Sequence, residues 1–219
     1  MDEISDLRVE PCLDSQYVRP YRLHYKQRGR KKMWDFIEKH DSVSVLIYNT
    51  TRKVFVIVKQ FRPAMYVRAC MNASHCDQSD RDIQDQHLES CKFDQPASCG
   101  FTYEICAGIV DKKQPVIEIA KAEVLEECGY DVPLEKMSLI SIHCTSVGTS
   151  GTTGHMFYVE VTDDMKVSSG GGSEEEGEMI DVVEIPLSNS KHFLFDFSKP
   201  KTSGLMFAFM WFYNTKENP

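Results

Sequence analysis

Glu123, Glu126 and Glu127 lie within "AEVLEECGY", at spacings i, i+3 and i+4. On a helix those spacings gather side chains into one patch, with Cβ atoms about 5–6 Å apart, and like charges there cost about 0.2–0.5 kcal/mol per pair. Acidic runs of this kind are usually solvated faces. The sharper reading is that something positive belongs between them. A hard divalent cation such as Mg2+ takes oxygen ligands in octahedral geometry, keeps waters, and binds phosphates beside carboxylates. Clustered glutamates anchor such an ion, and its charge removes their mutual repulsion.

The elements that must position these carboxylates read as strand, loop and helix. "FTYEICAGIV" is an apolar-rich strand in which Gly108 lies fifteen residues before Glu123. Pro115 suits the first helical position, and Gly129 the left-handed position just past the last turn. Ile117, Ala120, Val124 and Cys128 form the apolar stripe that packs on a sheet. The glutamates fall on a different side, at a rim. Elsewhere "VRPYRLHY" and "YRLHYKQ" suggest N-terminal strands ending near "RGRKK", a basic turn. Two β runs, Ser42–Tyr48 and Lys53–Lys59, joined by the polar "NTTR", predict a hairpin. "MSLISIHC", "HMFYVEVT" and "MIDVVEIPL" read as further strands, and "VSSGGGSEEEGE" as a mobile loop. The run "LMFAFMWFY" (Leu205–Tyr213) is too short to span a bilayer and reads as a buried helix. The pattern predicts the α/β (α+β) class, with helices packed on a mixed sheet.

The 219 residues suffice for one sizeable core. A net charge of −8 argues against a nucleic-acid partner. The polar, acidic "MDEISDLRVE" has neither the apolar core of a signal peptide nor the character of a transit peptide. The expectation is a cytoplasmic protein with no membrane partner, whose eight cysteines are reduced thiols. Cys70, Cys76, Cys91 and Cys99 fall with His75 and His87 in a polar stretch, 70–100. Their spacings do not match the compact pairs of zinc sites, which favours free thiols in a long mobile insertion.

"GIVDKKQPVIEIAKAEVLEECGY" (Gly108–Tyr130) resembles the Nudix box, G-x5-E-x7-R-E-U-x-E-E-x-G-U with U apolar. Gly108, Glu123, Val124, Glu126, Glu127, Gly129 and Tyr130 are in register over its 23 positions. Gln114 replaces the first Glu of that pattern, with Glu118 one turn on. Ala122 replaces its Arg, which in the family orients neighbouring carboxylates. "VKQFRPAMY", "YEICAGIVD", "SEEEGEMIDVVEIP", "RPYRLHYKQ" and "WDFIEKHDSV" extend the resemblance to the nucleoside-diphosphate-sugar branch of Nudix hydrolases. It covers nearly the whole chain outside the 70–100 insertion.

That resemblance implies a Nudix fold, an α/β/α sandwich with a mixed β-sheet over 41–219. It also implies an N-terminal β arm over 1–40, used in homodimerisation and forming part of the substrate site. The implied metal ligands are Glu123, Glu126, Glu127 and the Ala107 carbonyl, with Glu104 supporting a metal or its waters. The implied cofactor is Mg2+, with Mn2+ as a substitute. Glu178 matches the catalytic base and joins Glu123 in the catalytic set; Glu175 or Glu176 are the alternatives to it. Arg62, whose planar fork matches phosphate oxygens, is the substrate's phosphate partner. Trp34 resembles an aromatic that stacks on the nucleobase, and Lys39 adds positive charge. The implied reaction splits the pyrophosphate of UDP-glucose to UMP and glucose 1-phosphate, with ADP-ribose as a second substrate. The alternative, motivated by Gln114 and Ala122, is a module that binds nucleotide sugars without cleaving them.

Overall fold

The hairpin expected from "NTTR" forms, and the way it opens creates the site. The computed structural model describes residues 4–15, 17–73, 91–175 and 177–217. Before that hairpin, β1 (Arg19–Gln27) and β2 (Arg30–Glu38) pair antiparallel as a two-stranded sheet of their own. β3 (Ser42–Asn49) and β4 (Val54–Phe61) pair only between Ile47–Asn49 and Val54–Val56, beside their turn. Beyond it they splay. β5 (Phe101–Glu104) pairs with β4 and β6 (Cys106–Ile109) with β3, filling the split. The single strand expected over "FTYEICAGIV" is thus two, interrupted at Ile105, because the chain changes neighbour there.

The seven-stranded sheet is completed by β7 (Ser138–Thr145), β8 (Thr152–Val161) and β9 (Ile180–Pro186). β8 runs parallel to β3, β7 antiparallel to β8, and β9 antiparallel to β4, so the sheet is mixed. Strand alternation sends successive side chains to opposite faces. Val43, Val45, Ile47, Val54, Val56 and Val58 belong to one core, Leu46, Phe55 and Ile57 to the other.

Among the described residues four α-helices flank the sheet. α1 (Pro63–Ala73), which the sequence reading missed, starts at Pro63, whose fixed φ suits the first helical position. It carries Tyr66 and Cys70 into a small apolar cluster with Cys91. Cys70 and Cys91 are therefore packing residues, which corrects their placement in a mobile insertion. His75, Cys76 and His87 lie outside the described residues. α2 (Val116–Cys128) covers the first core through Ile119, Ala120, Val124 and Cys128. It begins one residue later than expected, with Pro115 as its N-cap. α3 (Leu187–Phe195), also missed, and α4 (Ser203–Phe212) cover the second core, where Phe209 stacks on Phe55 at 4.2 Å between centroids. The result is the α/β/α sandwich. Among the described residues no helix is long and apolar enough to cross a membrane.

Both ends of the α2 C-terminal turn are fastened. Gly129 takes φ 77°, and its N–H reaches Leu125 O at 3.0 Å. A Cβ there would lie 2.2 Å from Ser168 O. Tyr130, fully buried, accepts at its hydroxyl from Arg52 Nη2 (2.8 Å) and Asn49 Nδ2 (3.3 Å). Arg52 also donates to Asp163 at 2.7 Å and Glu184 at 2.6 Å, joining the β3–β4 turn to β9. The glycine-rich segment, expected to be mobile, is instead bound to this helix end. Val167 N donates to Gly129 O (2.9 Å), Gly171 N to Glu127 O (3.0 Å) and Gly172 N to Glu126 O (3.3 Å). These bonds satisfy carbonyls that a helix end leaves without intrahelical partners.

Candidate active site

Two glutamates of α2 lean onto β6 at the split in the sheet. Glu123 lies over Gly108: a Cβ on that glycine would stand 2.0 Å from Glu123 Oε1. The glycine opening the box is thus the space its first aligned carboxylate needs. One turn on, Glu127 is 1% exposed, and its Oε2 accepts the Ala107 N–H at 3.0 Å. Burial pushes its carboxyl up to about 8, with Glu123 and Glu178 adding to the rise, while the Ala107 amide and Cys106 thiol oppose it. A buried carboxylate is costly until a positive charge stands beside it.

The shift carries a pH prediction for the metal-free protein. Because the folded-state value is raised, stability from Glu127 is complete below the ordinary value of 4.5 and is lost as pH rises through about 8. Thermal melting in EDTA from about pH 5 to about pH 9 checks this. The wild-type midpoint falls further over that window than the midpoint of Glu127→Gln.

Glu104, at the end of β5, is gripped by Arg62 in a two-pronged pair, Nε to Oε1 and Nη2 to Oε2, both 2.8 Å. Thr102, two residues back on the same strand face, donates its hydroxyl to Glu104 Oε1 at 2.5 Å. The Glu104 pair raises the Arg62 guanidinium, and the charges of Glu127 and Glu178 act on it in the same sense. Glu178 is half-buried on the segment fastened to α2, its N–H donating to Ser173 O at 3.0 Å. Glu174 and Glu175 are exposed, and Glu176 lies outside the described residues. Arg62, Glu104, Ala107, Glu123, Glu127 and Glu178 are thus brought to one region from β4–α1, β5, β6, α2 and the loop before β9.

The other expected site residues are exposed. Glu126 is on the same helix but exposed. Trp34, 53% exposed on β2, donates its indole N–H to Gly148 O at 2.9 Å. Lys39 is exposed in the link to β3. The sequence reading did not single out Thr102, although its position two before Glu104 on a strand puts both on one face.

Among the described residues no three His, Cys, Asp or Glu side chains converge as a formed cation cage. Glu104 is turned to Arg62 and Glu127 to the Ala107 amide, arrangements that relieve carboxylates of mutual repulsion. The donor chemistry nevertheless fits Mg2+ or Mn2+. Every expected donor is an oxygen, the ligand type of hard cations. The open strand at Gly108 gives Glu123 room along β6, and buried Glu127 gains from a neighbouring positive charge.

No family model matches the chain. Individual relatives do. The chain is 40% identical over 221 residues to the uridine diphosphate glucose pyrophosphatase NUDT14 of Bos taurus, covering 98% of this chain and 96% of that protein. It is 37% identical over 217 residues to the Mus musculus protein of the same name, with the same coverage. A GDP-mannose pyrophosphatase of Salmonella typhimurium is 29% identical over 163 residues, 74% of this chain and 67% of that one. With this similarity and the α/β/α site described above, the chain belongs to the Nudix hydrolase family. Its relatives there fall in the branch of nucleoside-diphosphate-sugar pyrophosphatases, two of them named for UDP-glucose and one for GDP-mannose.

Proposed function

We propose that this protein hydrolyses the pyrophosphate bond of nucleoside diphosphate sugars with Mg2+, converting UDP-glucose to UMP and glucose 1-phosphate. ADP-ribose, giving AMP and ribose 5-phosphate, is the second substrate in this reading. The observation that carries it is the meeting of Arg62, Glu104, Glu123, Glu127 and Glu178 in a chain 40% identical to a UDP-glucose pyrophosphatase. Glu123, Glu126, Glu127 and the Ala107 carbonyl would hold the cation, which would supply positive charge at the phosphates and acidify a water. Glu178 takes the proton of the attacking water. The water oxygen bonds to one phosphorus, the bridging P–O bond breaks, and its electron pair leaves with the other phosphate. A base within about 3 Å of the water does this work, and a half-buried loop residue can reach that distance.

Arg62 orients the diphosphate, and its present partner sets how. Both prongs of its fork sit on Glu104, so the phosphate displaces that carboxylate. Thr102 would keep Oε1 of Glu104 while Oε2 would be open to the cation or its waters. Lysine at position 62 keeps the charge but loses the fork. A hydrogen bond to a charged group contributes about 1.5–3 kcal/mol, so Arg62→Lys lowers kcat/KM for UDP-glucose by about 10–100-fold in initial-rate measurements.

The enzyme is read as a cytoplasmic homodimer, joined through the exposed apolar base of the N-terminal hairpin, where Tyr21, Leu23, Trp34 and Phe36 lie. Light scattering on the eluting protein reports that mass, and a monomer at working concentration removes the dimer. The reaction is tested by incubating the protein with UDP-glucose and with ADP-ribose, with and without Mg2+, and identifying the products. UMP or AMP formed only with the metal is expected. Neither nucleotide above the blank overturns the reading, and tight UDP-glucose binding without turnover selects the non-catalytic module instead.

A further inference from the structure

The hairpin β1–β2 carries a charge pattern that the hydrolase site leaves unused. From Arg19 to Lys32 there are seven Lys and Arg and no carboxylate. With Asp35 and Glu38 the hairpin is +5, so the rest of a chain of net −8 carries −13. The overall charge that argued against a polyanion partner therefore averages two regions of opposite sign.

Five of these cations crowd the tip: Lys26, Arg28, Arg30, Lys31 and Lys32 are all exposed. Lys26 stands directly opposite Lys31. Like charges in that relation destabilise an antiparallel pair. Among the described residues the hairpin holds a single ion pair, Arg22–Asp35 at 2.6 Å, well below the tip. Left to itself, the hairpin loses stability from this arrangement; a polyanion reverses the sign.

Within one chain, the bonds that hold the hairpin to the acidic body lie below the tip. Backbone and indole bonds fasten the hairpin at Trp34, to Gly148 O, and at Ile37, to Thr149 O. At about 3.4 Å per residue the turn lies ~17 Å beyond Trp34. The Debye length at physiological salt is about 8 Å. Charges beside the Trp34 anchor are therefore largely screened from the tip.

We propose that the tip, residues 26–32, is a docking surface for duplex nucleic acid, with the two-stranded ribbon entering the major groove. Strand pairing puts Lys26 and Lys31 on one face, Arg30 and Lys32 on the other, and Arg28 at the turn. A planar anionic membrane meets one face at a time. A groove walled by phosphates meets both, and the major groove of B-DNA, about 12 Å wide, admits a two-stranded β-ribbon. Single-strand binding calls for free aromatic platforms. Here Tyr21 is stacked on Phe36 at 5.7 Å, and the Trp34 indole is bonded to the body. The contacts are to phosphates, so recognition is independent of base sequence.

Fluorescence anisotropy of a labelled 20-base-pair duplex, titrated with the full chain, tests this. Each phosphate neutralised contributes a slope of about −0.9 to log K against log salt, so five cations predict about −4.5, or ~500-fold weaker binding at 200 mM than at 50 mM salt. The double variant Lys31→Gln/Lys32→Gln makes the slope shallower by about 2, as does Lys26→Gln/Arg28→Gln, with melting midpoints reported alongside. Absence of duplex binding at 50 mM salt overturns the proposal. So does a slope that neither double variant alters, or capture by phosphatidylserine vesicles with no binding to the duplex.

Discussion

Glu123→Gln folds as the wild type does and turns over UDP-glucose on the order of 10³-fold more slowly at saturating Mg2+, the scale of losing one preorganised electrostatic contact to the transition state. The substitution keeps the shape that fits against Gly108 and removes one charge. Stability and activity should therefore move apart. Glu123 is one of the charges that raise buried Glu127. Neutralising it eases the burial of Glu127, so the melting midpoint of the metal-free protein stays level or rises while kcat falls. Full activity in this variant removes Glu123 from the site. Equal loss of activity and midpoint makes it a structural residue.

Gly108→Ala is the second large effect, and it separates placement from charge. The added Cβ would stand 2.0 Å from Glu123 Oε1 and 2.1 Å from its Cδ. Those atoms end a side chain, which yields more readily than backbone, and Gly108 is not in the left-handed region. The carboxylate moves by about an ångström and the fold survives. A misplacement of that size costs on the order of 10² in rate. Steady-state kinetics with a melting curve on the same sample decide it: kcat falls by that order with little change in midpoint. Gly129→Ala is the contrasting case, since its φ of 77° and the nearby Ser168 carbonyl make the clash one of backbone. It lowers the midpoint first, because no L side chain adopts that conformation freely.

The contrast between these glycines marks what a one-dimensional reading reaches. α2 was legible because its caps, apolar stripe and carboxylates all lie within one stretch, and local chemistry fixes each of them. Strand alternation likewise gave β3, β4, β7, β8 and β9, since period-2 patterning is local. The break at Ile105 was not legible. Nothing in "FTYEICAGIV" changes there; what changes is the neighbouring strand, and β3 and β4 are some fifty residues away in sequence. α1 and α3 were hidden behind Pro63 and Pro186, prolines that open a helix here where a strand was being followed. The segment 167–175 reads as a linker by composition. Its order comes from backbone bonds to Gly129, Glu127 and Glu126, which side-chain identity does not announce.

The site divides in the same way. Glu123 and Glu127 could be named from their spacing and their resemblance to a family. The pairing of Arg62 with Glu104 could not, because the two stand 42 positions apart and are joined only where β5 enters the split. Trp34 was expected at a nucleobase; its indole N–H is occupied by Gly148 while its ring remains half exposed.

Manganese binding followed by electron paramagnetic resonance reaches the central claim without relying on turnover. Free Mn2+ gives a signal that falls as protein captures the ion. Wild-type protein lowers it stoichiometrically in the presence of UMP, and the double variant Glu123→Gln/Glu127→Gln, folded by its melting curve, leaves it at the level of buffer. Equal capture by both proteins would mean that the cation is held elsewhere, and the acidic face of α2 would not be the metal site.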